Sequence, residues 1–170
     1  TTGTDNVIMG ASAGAALVAG SNNIAIGFES LMTEDGHGES TAVGYQSLKM
    51  QNAGASGLNT AVGYQAGAAV TTGVKNVIVG ASAGDALAAG ANNVAIGYEA
   101  LSTEDAHGNN TAIGYRALKT LNAGADGFNT AVGVDAGLSV TTGVQNTLIG
   151  GLAGDALTDA DHNVAVGYNA

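Results

Sequence analysis

Glu, Asp and His fall within four positions of one another twice in this chain, in "TEDGHGES" (33–40) and "TEDAHGNN" (103–110). Carboxylates and imidazoles this close could ligate a divalent cation, with Glu104, Asp105 and His107 as the donors of the second copy. His37 and His107 are equivalents in well-separated stretches, so they belong to separate places, and a loop of solvated charge is the expected state of both. A third acidic stretch, "GDALTDADHN" (154–163), spaces Asp155, Asp159 and Asp161 much as a calcium loop would. It lacks both the Gly-centred turn with terminal Glu of an EF-hand and the Gly-rich nonapeptide of calcium β-rolls, so the expectation is no metal and no cofactor. Phe28, Tyr45, Tyr64, Tyr98, Tyr115 and Tyr168 recur at one phase and could stack sugars, although packing or an interface is the favoured use. Thr41, Thr60, Thr111, Thr130 and Thr147 share another phase, but Val or Ile interrupts that column too often for an ice-binding lattice. "NNT" at 109–111 is one glycosylation sequon in an Asn-rich chain. No Ser/His/Asp or Cys/His set and no phosphate loop can be named, and the chain is not expected to be an enzyme.

Composition narrows what must position these residues. Of 170 residues 28 are Gly, none is Pro, Cys or Trp, and only 4% are aromatic, which is too few large side chains for an ordinary globular core. Ala and Val dominate the apolar content, so any packed layer is thin, as strands allow. Fourteen acidic against four basic residues give a net charge of −10, which repels phosphate backbones and makes nucleic acid an unsuitable partner. No apolar run approaches the roughly 20 residues of a membrane-crossing helix, so no membrane contact by this segment is expected.

Repetition then decides the fold. Gly10, Gly27, Gly44, Gly63, Gly80, Gly97, Gly114, Gly133, Gly150 and Gly167 each close a near-copy of one phrase, such as "NTAVGYQAG" or "NNVAIGYEA". Their spacings are 17, 17, 19, 17, 17, 17, 19, 17 and 17. That series itself repeats every four units, from Gly10 to Gly80 to Gly150, which makes a four-coil superperiod. Residues 1–100 laid over 71–170 agree at 63 positions. The blocks run approximately 1–70, 71–140 and 141–170, the last partial, and the whole reads as one segment of a longer repetitive fibre. Before each anchor glycine stand three β-prone residues, preceded by Asn in nine of the ten units, as in Asn93-Val94-Ala95-Ile96. A unit of this length suits one coil of a parallel β-solenoid, or β-roll, with two short strands and two bends per coil, in an all-β chain of ten coils.

Stacked coils place equivalent residues about 4.8 Å apart. Asn59, Asn76, Asn93 and Asn110 then form an amide ladder, with Ser40 as the exception, and Gly63, Gly80, Gly97 and Gly114 mark the bend. Size alternation suggests that the residue two before the anchor and the residue one after it share a volume, since Ile78 pairs with Ala81 and Ala95 with Tyr98. Each strand lacks a polar face. One side fills the coil, and the other would leave Val62, Val79, Ile96 and Ile113, beside Tyr64, Tyr98 and Tyr115, as an apolar stripe that further copies must cover. A three-fold arrangement about the stripe, or a filament, would do so.

"NNIAIG", "NNVAIG", "NTAIG" and "NVAVG", each followed by a Gly-bearing or Ala-bearing turn, resemble the YadA-like head repeats of trimeric autotransporter adhesins and related phage tail-fibre repeats. The likeness spans all ten units, although these coils are a few residues longer than the adhesin-type unit and look more like the phage-fibre or environmental-fibre variant. The resemblance implies a homotrimeric β-roll on a cell surface or virion, extracellular, working as a spacer or scaffold. An adhesive module whose long loops (31–40, 48–58, 101–109, 118–128) touch host glycans or matrix proteins is the alternative reading, and a calcium-dependent β-roll a distant one.

Overall fold

A computed structural model describes residues 2–170, and Thr1, where the first block opens, lies outside them. Ten three-residue strands follow one another along a single axis: β1 (Val7–Met9), β2 (Ile24–Ile26), β3 (Thr41–Val43), β4 (Thr60–Val62), β5 (Val77–Val79), β6 (Val94–Ile96), β7 (Thr111–Ile113), β8 (Thr130–Val132), β9 (Thr147–Ile149) and β10 (Val164–Val166). They form one parallel sheet in chain order, with no helix among the described residues. Register follows the repeat: Val62 pairs with Val79 and Val79 with Ile96, as consecutive rungs. A longer coil keeps register as well as a shorter one, since Val43 still pairs with Val62. The two additional residues bulge outward at Gly54 and Gly124, where the backbone turns left-handed and a methyl group would meet nothing.

Each coil carries one strand rather than the expected two. On the opposite side, the residues two and four after the anchor both adopt positive φ, for example Glu99 at 51° and Leu101 at 53°. Alternating the sign of φ tightens the path below a strand's extension. The stack is nonetheless held there, because Leu31 N–H donates to the Ser47 carbonyl and Leu101 N–H to that of Ala117, both at 3.0 Å. A third left-handed residue precedes each ladder Asn, with Asp5, Asn22 and Asn92 among its occupants. Anchor glycines sit at φ between 128° and 141°. At Gly80 a β-carbon would come 2.5 Å from the Gly97 carbonyl oxygen of the next coil, so only glycine fits.

The core is a set of vertical columns. Two before the anchor lie Ala25, Ala42, Ala61, Ile78, Ala95, Ala112, Ala131 and Leu148; four after it lie Leu31, Leu48, Leu101 and Leu118; seven after it lie Leu87, Leu121, Val70 and Val140, all fully buried. The volume exchange expected between Ile78 and Ala81 is not found. Ile78 points inward at 0% exposed, whereas Tyr98, one after its anchor, stands on the surface at 47%. The exchange runs instead between the residue two before the anchor and the residue four after it. Ile78 faces Gly84, Ile8 faces Gly14 and Leu148 faces Gly154, while Ala95 goes with Leu101 and Ala112 with Leu118. In the coils of Ala61 and Ala131 both are small, and there Gly67 is enclosed by Leu48 and Ile78, and Gly137 by Leu118 and Leu148, from the two sides. Period-two alternation within the strand is what separates the two candidate columns.

Candidate functional site

Three assemblies hold the residues singled out from the sequence: the amide ladder, the outer strand face with its aromatic column, and the two Glu-Asp-His turns.

The ladder is built by backbone capture. Asn59 Oδ1 accepts from Asn76 N–H at 2.9 Å, Asn76 Oδ1 from Asn93 N–H at 2.9 Å, and Asn93 Oδ1 from Asn110 N–H at 3.0 Å. Side-chain amides also donate onward, Asn59 to the Gly73 carbonyl and Asn76 to that of Gly90, both at 2.8 Å. All four are buried, and a left-handed residue before each one turns the backbone to aim the amide along the axis. Where Ser40 interrupts the column, Gln51 enters from the core. Its Nε2 donates to Ser40 Oγ at 2.9 Å and its Oε1 accepts from Asn59 Nδ2 at 2.8 Å. Sequence reading found the ladder and missed Gln51; the signal was the joint change to Asn110 and Leu121 in the next block.

On the outer face, Val62 is 37% and Val77 39% exposed, with Val79, Ile96 and Ile113 partly covered. The columns three before, one before and one after the anchor hold no Asp, Glu, Lys, Arg or His in any coil. Phe28, Tyr45 and Tyr64 stack with ring centroids 5.4 and 5.1 Å apart, and Tyr98 and Tyr115 at 5.5 Å. Stacking turns most ring faces toward one another and leaves edges outward, which suits packing better than a sugar platform. The Tyr98 hydroxyl is held above its ordinary range by a hydrogen bond to Glu99, while Lys119, at 2.6 Å, holds the Glu99 carboxyl below the usual carboxylate range.

The Glu-Asp-His stretches depart from the expectation of solvated charge. Glu34 and Glu104 occupy the core column seven after the anchor, where the other coils have Leu, Val or, once, Gln51, and are fully buried. Strand-like propensities gave no hint of this, but the column itself could have: Leu17, Glu34, Gln51, Val70, Leu87, Glu104 and Leu121 share one phase. Glu104 Oε1 accepts from His107 N–H at 3.1 Å and Oε2 from Ala123 N–H at 3.1 Å. Glu34 accepts from His37 N–H at 3.0 Å and from Gln51 Nε2 at 3.2 Å. Asp35 and Asp105 are exposed, and the two His are intermediate. Asp159 and Asp161 lie apart from these groups on the last turn, where Asp161 accepts from Val144 N–H at 2.8 Å and Asp159 from the Thr158 hydroxyl at 3.2 Å.

No family model, no curated protein and no solved structure matches the chain.

Proposed function

We propose that this chain is a structural segment of an extracellular fibre, a rigid spacer or scaffold on a cell surface or virion, whose copies associate through the outer strand face. The observation that carries the reading is the charge-free face running past all ten coils of a chain with net charge −10. Ten rungs at about 4.8 Å make a column roughly 48 Å tall. From the column three before the anchor to the aromatic column the face is about 13 Å wide at ~3.3 Å per residue, which gives on the order of 600 Å² per copy against the ~800 Å² each partner contributes to a standard interface. Three copies with their strand faces toward a common axis cover that face identically, consistent with the resemblance to trimeric adhesin heads and phage fibres. The work of such a segment is length and stiffness, because the loops recur with the four-coil block and single out no one storey as a recognition site.

Light scattering tests the reading. A particle of three chains, each of 16.4 kDa, is expected, and a monomer at tens of micromolar would overturn it. Val79→Lys with Ile96→Lys should return the monomer while keeping the β-type circular dichroism. Binding of the isolated segment to glycans or matrix proteins in an array would favour an adhesive module.

A further inference from the structure

We infer that the two Glu-Asp-His turns are binding sites for a first-row divalent cation of the zinc type, one at Glu34, Asp35 and His37 and one at Glu104, Asp105 and His107. Each set places one ligand atom per residue within 4.8 Å of the others. Two independent features point to a cation. His37 Nδ1 is buried and is the one such side-chain nitrogen or oxygen among the described residues with no hydrogen-bond partner. It stands 3.6 Å from Glu34 Oε1, beyond hydrogen-bond reach, and the equivalent separation at His107 is 3.3 Å. Adjacent ligand atoms on a tetrahedral zinc ion lie about 3.4 Å apart, given metal–ligand distances near ~2.1 Å. At His107 the nitrogen and oxygen are in long hydrogen-bond contact and at His37 they are not, and both separations lie close to the bite of a tetrahedral ion.

Charge gives the second feature. Glu34 and Glu104 are fully buried in a column otherwise of Leu, Val and Gln51, and no Lys or Arg pairs with either among the described residues. A buried carboxylate without a cationic partner is costly. The backbone N–H of the His three residues on orients the carboxylate, as an outer partner orients a metal ligand. Exposed Asp35 and Asp105 are free to close over the ion as the third donor, leaving a fourth position for water. An imidazole in the set favours zinc-type ions over calcium or magnesium. The inference is independent of the fibre reading, since each site lies within one coil of one chain.

The test is zinc uptake by the metal-free full chain, read by competition with a chromophoric chelator. Two ions per chain at low micromolar or tighter affinity are expected, one in His37→Ala and none in His37→Ala with His107→Ala. The His rings are partly exposed, so melting of the metal-free double variant should match the parent. Asp35→Asn with Asp105→Asn, on exposed groups, should weaken affinity about tenfold or more without unfolding the chain. Uptake below one ion per chain at tens of micromolar free zinc, uptake unchanged in the double His variant, or preference for calcium would overturn the inference.

Discussion

Two storeys one block apart solve one packing problem with different chemistry. Around β3, Ser40 stands in the ladder and Gln51 fills the core column, tying Glu34, Ser40 and Asn59 into one buried network. Around β7, Asn110 restores the ladder, accepting from Asn129 N–H at 3.2 Å, and Leu121 takes the place of Gln51. Glu104, without a Gln above it, turns its second oxygen to Ala123 N–H. The surface shows the same habit: Gln65 donates to Gln46 at 2.9 Å in the first block, where Arg116 makes a two-pronged ion pair with Asp135 at 2.9 Å in the second. What a position tolerates is thus decided by its neighbours along the axis, in the coils above and below, more than by its neighbours in sequence.

The largest effect should fall where the two blocks do not differ. Gly63→Ala and Gly133→Ala, both at φ 141°, force a methyl group against the carbonyl of the next coil. Each should lose on the order of 3 kcal/mol or more in denaturant unfolding, and equally. A clear inequality between them would mean that the blocks are not structurally interchangeable.

Next come the paired changes. Ile78→Ala alone should cost about 2–4 kcal/mol through its cavity, and Gly84→Leu alone a similar amount through collision with Ile78 and Leu87. Together they recreate the arrangement of Ala112, Leu118 and Leu121, so the double variant should cost far less than the sum. Additivity in a double-mutant cycle would refute the exchange of volume between these columns.

A milder test converts one storey into the other. Asn110→Ser strips Asn129 N–H of its acceptor and Leu121→Gln buries an amide, each at about 1–3 kcal/mol. Combined, Gln at 121 can reach Ser at 110 and Glu104 as Gln51 reaches Ser40 and Glu34, and a coupling of about 1 kcal/mol or more is expected.

The smallest effect concerns Asp85, whose carboxyl is pushed up chiefly by burial, with nearby Glu99 adding to it. The folded chain therefore holds this proton more tightly than the unfolded one, and the group's contribution to stability falls as pH rises above the ordinary Asp range. Asp85→Asn should raise the melting temperature by about 1 °C at pH 7 and leave it unchanged near pH 3. A gain that persists at pH 3 would exclude the titration as its cause.

Spacing alone was enough to read the solenoid, the ten rungs, the in-register Val62, Val79 and Ile96 column and the Asn ladder, because identical residues at a fixed period can satisfy one another only by stacking. The number of strands per coil was not legible, since positive φ at Glu99, Leu101 or Arg116 is carried by residues with no preference for it. Nor was the true partner of Ile78: size alternates in the same way one and four after the anchor in every coil but those of Ala61 and Ala131, where Tyr64 and Val134 stand against Gly67 and Gly137. Only the folded coil decides which of those two points inward, and the same closure turns Glu34 and Glu104, polar by type, into core residues.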